Sequence, residues 1–334
     1  MRFAVVGAGA IGGLLGARLA LAGEDVTFIA RNRNLATIAA NGFRLIDESG
    51  AEHHAASAKA VGDAAAIGAQ DVVLLTVKAH QVKDVLAQLS HLVGHETMLV
   101  TMINGLPWWY FQGLDGEWNG RTLESVDPGG AIARAIDPAR VIGSIVYPAA
   151  ELVAPGVVRA IEGNRFTIGE PGGERTARIE SLSKALMNAG FKAPIARDIR
   201  TEIWVKLWGN LSFNPVSALT GATLEGICRD ADGRALIASM MREAEAVANR
   251  LGIAFKISID QRIAGAEAVG AHKTSMLQDV LHGRPLELEA LVGSVVELAR
   301  ITGVAVPTIE AIYRAARLLE RTPVGDRAAS GPPA

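Results

Sequence analysis

The stretch Arg2-Phe3-Ala4-Val5-Val6-Gly7-Ala8-Gly9-Ala10-Ile11-Gly12 decides the fold, together with its continuation as far as Val26-Thr27-Phe28-Ile29-Ala30-Arg31. Residues 2–6 form a short apolar run with the length and β-branching of a buried strand. After Gly12, apolar residues at 14, 15, 17, 19 and 22 carry a helical repeat as far as Gly23, and a second apolar run ends on Arg31. Strand, glycine turn, helix and strand in that order are the setting in which G-x-G-x-x-G marks a dinucleotide site. Each glycine has its own task. Gly7 permits the tight turn, Gly9 lets backbone approach a pyrophosphate, and Gly12 lets the helix pack on the strand. Ala8, Ala10 and Ile11 complete the loop, and the helix start offers N–H groups to phosphate.

The end of the second strand bears on the choice of cofactor. An NAD site usually places an acid there to hold the ribose 2′-hydroxyl. Here the strand ends Arg31-Asn32-Arg33, without an acid. A carboxylate would repel a 2′-phosphate, whereas a guanidinium grips it with paired hydrogen bonds. The expected cofactor is therefore NADP(H).

With 334 residues the chain has room for two domains, and 49% hydrophobic against 20% charged residues is an ordinary globular balance. A formal net charge of −2 favours neither nucleic acid nor a membrane surface as partner. Cys228 is the single cysteine and forms no intrachain disulfide, in keeping with a reducing cytoplasm. The N-terminal apolar run is too short and glycine-rich for a signal peptide, and no run reaches the length of a membrane span. A soluble cytoplasmic protein is expected, with a homodimer as an admissible partner state.

Short strands flank the region 42–56. Strong ones cover 71–77, ending at Lys78, and 97–103, ending at Asn104-Gly105, with a helix over 82–93 between them. The glycine turn, Arg31, Lys78 and Asn104 thus all stand just past the carboxyl end of an apolar strand, the edge where open parallel sheets bind ligands. Residues 107–111, Pro-Trp-Trp-Tyr-Phe, either cover the cofactor edge or pin a loop, with packing the favoured role; 112–130 reads as an irregular insertion. Strands over 141–147, 157–161 and 165–168 and a helix over 179–189 close this domain. From Asp198 the period is helical throughout, over 199–214, 231–251, 258–269, 286–302 and 308–321. The expected organisation is a doubly wound α/β domain over 1–196, an all-helical domain over 197–322, and a frayed tail over 323–334.

Lys206, Asn210 and Asn214 are spaced by four, so they line one helical stripe. Pro215 should stop or kink the helix at Asn214. Trp204, Trp208, Leu211 and Phe213 make the surroundings too apolar for a solvated face, so the lysine and amides need partners. The histidines, Cys228 and the acids show no metal-ligand spacing.

The fingerprint over 7–12, Thr76-Val77-Lys78-Ala79, Asn104-Gly105, Lys206-x3-Asn210-x3-Asn214-Pro215, Ser275-Met276-Leu277-Gln278-Asp279 and Gly283-Arg284-Pro285-Leu286-Glu287 occur in this order. Together they resemble the ketopantoate reductase (2-dehydropantoate 2-reductase) family over nearly the whole chain. The resemblance implies a Rossmann domain followed by a helical one. It also implies Lys206 as general acid, with Glu287 orienting Lys206 or a substrate hydroxyl. Asn104, Asn210, Asn214 and Ser275 would contact substrate, while Arg31 and Lys78 would serve NADPH. The chemistry agrees: a ketone under reduction develops an alkoxide, and a lysine of lowered pKa supplies both proton and charge.

Departures from the family cluster at the substrate end: His272 where an asparagine often stands, and Leu286-Glu287-Leu288-Glu289 with Val292 where more polar residues are common. The expected reaction is NADPH-dependent reduction of 2-dehydropantoate to (R)-pantoate. Reduction of another branched or bulkier 2-keto acid is the alternative. A non-catalytic NADP(H)-binding protein fits less well, since the set Lys206, Asn210, Ser275 and Glu287 is intact.

Overall fold

A computed structural model describes residues 1–322, and the tail expected over 323–334 lies outside the described residues. The chain divides into two compact units, Met1–Ile203 and the part from Trp204 onward.

In the first unit the order is β1 (Arg2–Val6), α1 (Ala10–Leu21), β2 (Asp25–Ile29), α2 (Asn32–Asn41), β3 (Phe43–Ile46), β4 (Glu52–Ala55), β5 (Lys59–Val61), β6 (Val72–Leu75), α3 (Leu86–Leu92) and β7 (Met98–Thr101). Next come α4 (Ala131–Ala135), β8 (Val141–Val146), β9 (Ala149–Ala154), β10 (Val157–Glu162), β11 (Phe166–Gly169) and α5 (Ala177–Asn188). A seven-stranded sheet has the order β11-β8-β7-β6-β1-β2-β5, parallel except where β11 pairs antiparallel with β8. From β1 the chain builds outward through β2 and β5, then returns to lay β6, β7 and β8 on the other side. That reversal beside β1 is the topological switch point of a doubly wound sheet.

The two strands expected around 42–56 belong to a second sheet, ordered β4-β3-β10-β9. Helix α1 is buried on both faces because it lies between these sheets. A Cβ at Gly13 would come within 2.6 Å of Phe43 on β3, and one at Gly16 would overlap Phe28 on β2. This explains why α1 is apolar nearly all round and carries no polar stripe. Helix α2 lies outside the elements expected from the sequence. Its segment is rich in asparagine and alanine, and only Ile38 is fully buried, so few strongly apolar residues mark it.

The aromatic segment takes the packing role. Trp108, Trp109, Tyr110 and Phe111 are all buried, and the Trp109 indole N–H donates to Thr101 Oγ1 at 3.1 Å. Arg200 closes the segment from the other side: its buried guanidinium donates to the carbonyls of Tyr110 (2.7 Å), Gln112 (2.7 Å) and Pro171. Its pKa is lowered by desolvation, since carbonyl oxygens rather than a carboxylate receive it.

The long helix α6 (Ile199–Thr220) begins in the first unit and continues into the second. Among the described residues the second unit has helices only: after α6 come α7 (Leu224–Arg229), α8 (Ala231–Arg250), α9 (Ile259–Ala268), α10 (Ser275–Leu281), a π-helical turn at Glu289–Gly293, α11 (Ser294–Thr302) and α12 (Pro307–Arg321). Of the two outcomes expected at Pro215, a stop or a kink, the stop is corrected. Pro215 does not end α6, which runs on to Thr220. A proline costs a helix one hydrogen bond, but Phe213, Val216 and Ala218 are buried around it, and tertiary burial outweighs that local loss.

Candidate active site

Each unit gathers one part of the expected constellation. In the first, β7, β6, β1 and β2 are consecutive in the sheet, and their carboxyl ends lead to Asn104, Lys78, the glycine turn and Arg31. Gly7 adopts φ +111°, a left-handed conformation that only glycine holds without strain. Thr76, just beyond β6, donates its hydroxyl to the Gly7 carbonyl at 2.8 Å and its N–H to Val6 O at 3.0 Å, fixing the turn to the neighbouring strand. A Cβ at Gly12 would overlap that same Gly7 carbonyl and stand 2.5 Å from Thr76 Oγ1.

Gly9 is the opposite case. It is exposed, and a Cβ there would meet nothing within 4 Å. Helix α1 starts at this open point with no side-chain cap and no acid in its first turn, so its leading N–H groups and the positive end of its dipole suit an anion. The cradle fits a dinucleotide pyrophosphate. Gly12→Ala is expected to lower stability by about 1–3 kcal/mol through overpacking and to weaken dinucleotide binding, read by thermal melting and cofactor titration. Wild-type values in both would show that the close approach at Gly12 is dispensable.

Arg31 is exposed at the N-cap of α2, and its side chain makes no ion pair or hydrogen bond among the described residues. Asn32 next to it holds φ +52°, a left-handed conformation asparagine tolerates better than most residues, and this turns the chain from β2 into α2. Lys78 and Asn104 are half-buried, Lys78 with its N–H donated to Gln81 Oε1 at 3.1 Å.

In the second unit, α6 carries the expected stripe. Lys206 and Asn210 are half-buried, while Asn214 is deeper, with 5% exposure. Trp208 anchors the helix: its indole N–H donates to Met241 O at 2.8 Å, and its ring stacks on Phe255 at 4.1 Å. Burial of the ammonium end lowers the Lys206 pKa from 10.5 to about 8, and the negative charge of Glu287 offsets part of that fall. The Glu287 charge thus acts on Lys206 within the second unit.

The placement of Glu287 is set by its neighbours. Leu286 and Leu288 are buried on either side, and the Leu286 N–H donates to Glu320 Oε1 at 3.0 Å. Glu289, next in the alternation, instead accepts the Tyr313 hydroxyl at 2.7–2.8 Å and begins the π-helical turn. Such turns are frequent at functional sites. Val292 is fully buried within it. Ser275 is exposed at the first position of α10, whose N-cap is Thr274, bonded to the Leu277 N–H at 3.2 Å.

Two residues that shape the cofactor edge escape a reading of the sequence. Thr76 belongs to the stretch Thr76-Val77-Lys78-Ala79, yet the one local sign of its hold on Gly7 is a hydroxyl directly after a central strand. Asn34, whose side chain bonds Ala8 O at 3.0 Å, carries no such sign. Among the described residues no group of His, Cys, Asp and Glu is suited to a metal ion, and no helix is long and apolar enough to cross a membrane.

Comparison with known proteins agrees with this geometry. A family model described as ketopantoate reductase PanE/ApbA matches residues 3–108, and its C-terminal counterpart matches residues 198–320. A 2-dehydropantoate 2-reductase of Mesorhizobium japonicum is 52% identical over 320 residues, covering 96% of this chain and 98% of the relative. A crystal structure from Ralstonia solanacearum MolK2, assigned to the ketopantoate reductases, superposes with a TM-score of 0.92 at 42% identity, covering 96% of this chain and 98% of the other. That of 2-dehydropantoate 2-reductase from Geobacter metallireducens GS-15 gives 0.83 at 29% identity, over 95% and 99%. A nicotinamide-type cradle, a lysine of lowered pKa and full-length likeness to these reductases agree: the chain belongs to the ketopantoate reductase family of oxidoreductases.

Proposed function

We propose that this protein reduces 2-dehydropantoate to (R)-pantoate with NADPH, a step toward pantothenate and coenzyme A. Residues 1–196 serve as the cofactor domain and 197–322 as the substrate domain. The observation that carries this reading is the stripe on α6, where Lys206 and Asn210 are half-buried and Asn214 is buried, with burial lowering the Lys206 pKa to about 8. A bound nicotinamide supplies the hydride. The chain supplies everything else. Gly7, Ala8, Gly9, Ala10, Ile11 and Gly12 hold the pyrophosphate, Arg31 meets the 2′-phosphate, Lys78 serves NADPH, and Asn104 serves both cofactor and substrate. Lys206 holds a proton toward the ketone oxygen and yields it as that oxygen becomes a hydroxyl. Asn210, Asn214 and Ser275 orient the keto acid, Ser275 by a hydrogen bond to its carboxylate.

The test is NADPH oxidation by the purified protein with a panel of 2-keto acids. Turnover should be fastest with ketopantoate, and absence of ketopantoate-dependent oxidation in folded protein would overturn the proposal. The cofactor assignment is tested separately. Arg31→Ala should raise KM for NADPH roughly 10- to 100-fold, the worth of hydrogen bonds to a charged group, with little change in kcat. Equal wild-type kcat/KM for NADPH and NADH would remove the assignment.

A further inference from the structure

Asn34 lies in the first turn of α2, and its amide spans two other parts of the first unit. Nδ2 donates to Ala8 O at 3.0 Å, and Oδ1 accepts the Gly156 N–H at 3.1 Å. These partners fix the orientation of the amide, because a carbonyl only accepts and a backbone N–H only donates. Gly156 stands in the turn between β9 and β10 at φ +68°, and a Cβ there would lie 3.0 Å from Thr37 Cγ2. Its carbonyl accepts the Arg44 N–H at 2.9 Å, so the turn is held firmly against both α2 and β3.

We infer that Asn34 is a positioning residue for dinucleotide binding, acting through the Ala8–Gly9 peptide. In a trans peptide the C=O and N–H point in opposite directions across one plane. Holding the Ala8 carbonyl toward α2 therefore turns the Gly9 N–H the other way. Gly9 is the residue that the open cradle leaves free for close approach of a pyrophosphate. The anchor is rigid, because the far end of the same amide is tied to the second sheet. Asn34 thus pre-orients a phosphate donor without touching the cofactor, sparing the ligand the cost of ordering it. This rests on the reading of the glycine turn as the pyrophosphate site.

Two substitutions separate the arms of the amide. Asn34→Leu has the shape and neither bond. Asn34→Asp keeps an acceptor for Gly156 but sets a second oxygen against Ala8 O. Two probes separate the subsites: ADP-ribose, which carries the pyrophosphate without a 2′-phosphate, and adenosine 2′-phosphate, which carries the reverse. Both variants should weaken ADP-ribose and NADPH about tenfold, the net worth of one oriented hydrogen bond. They should leave adenosine 2′-phosphate unchanged and kcat at saturating NADPH within about twofold. Equal losses for both probes, or none for either, would overturn the inference, and Asn34→Asp carries the test if Asn34→Leu does not fold. The underlying reading fails on a different result, namely wild-type protein that binds neither ADP-ribose nor NADPH.

Discussion

Lys206→Ala should lower kcat by roughly 10²–10⁴, the usual contribution of a positioned general acid. The effect should fall on kcat, because the ketone oxygen acquires charge only as its carbon is reduced, and an interaction made mainly then is a transition-state interaction. Cofactor affinity should change little, since the role proposed for Lys206 is toward the ketone oxygen and not toward the pyrophosphate. The pH profile gives a second signature. In the proposed role Lys206 must be protonated, and burial brings its pKa to about 8. The rate should therefore be level on the acid side and fall as pH rises through that value. In Lys206→Ala this alkaline limb should vanish. A folded variant with near-normal turnover and an intact limb would make Lys206 structural.

The next largest effect concerns substrate choice. Ketopantoate differs from 2-keto-isovalerate by a terminal hydroxyl, and a site built to bond a hydroxyl rejects analogues lacking it far more strongly than an apolar pocket does. Val292 is buried and offers no hydrogen bond, which leaves Glu287 as the candidate reader. Wild type should show a higher kcat/KM for ketopantoate, and Glu287→Ala should narrow the gap. The same variant should move the alkaline limb to lower pH, because the Glu287 charge holds the Lys206 pKa up against desolvation. Measuring kcat/KM for both acids across pH tests the two roles together. A narrowed gap without a moved limb would assign Glu287 to the hydroxyl alone. A wild-type preference for 2-keto-isovalerate would move the assignment to another branched or bulkier 2-keto acid.

Part of the fold and of the site rests on local interactions. The strand-glycine-helix-strand start, the absence of an acid at Arg31, and the i, i+4 spacing of Lys206, Asn210 and Asn214 are properties of neighbouring residues, and all are legible along the chain. So is the helical character beyond Asp198. The rest arises on folding, because it depends on residues distant in the chain. Joining Phe43 to Ile46 with Val157 to Glu162 in a second sheet requires strands more than a hundred residues apart to pair. The passage of α6 through Pro215 is set by burial that no local preference encodes. Asn34 meets Gly156 across 122 positions, and Thr76 meets Gly7 across 69, so neither role can be read along the chain. The pKa of Lys206 is the sharpest case: four residues of spacing place it on a stripe, but its value comes from desolvation and from Glu287, and both exist only once the helices have packed.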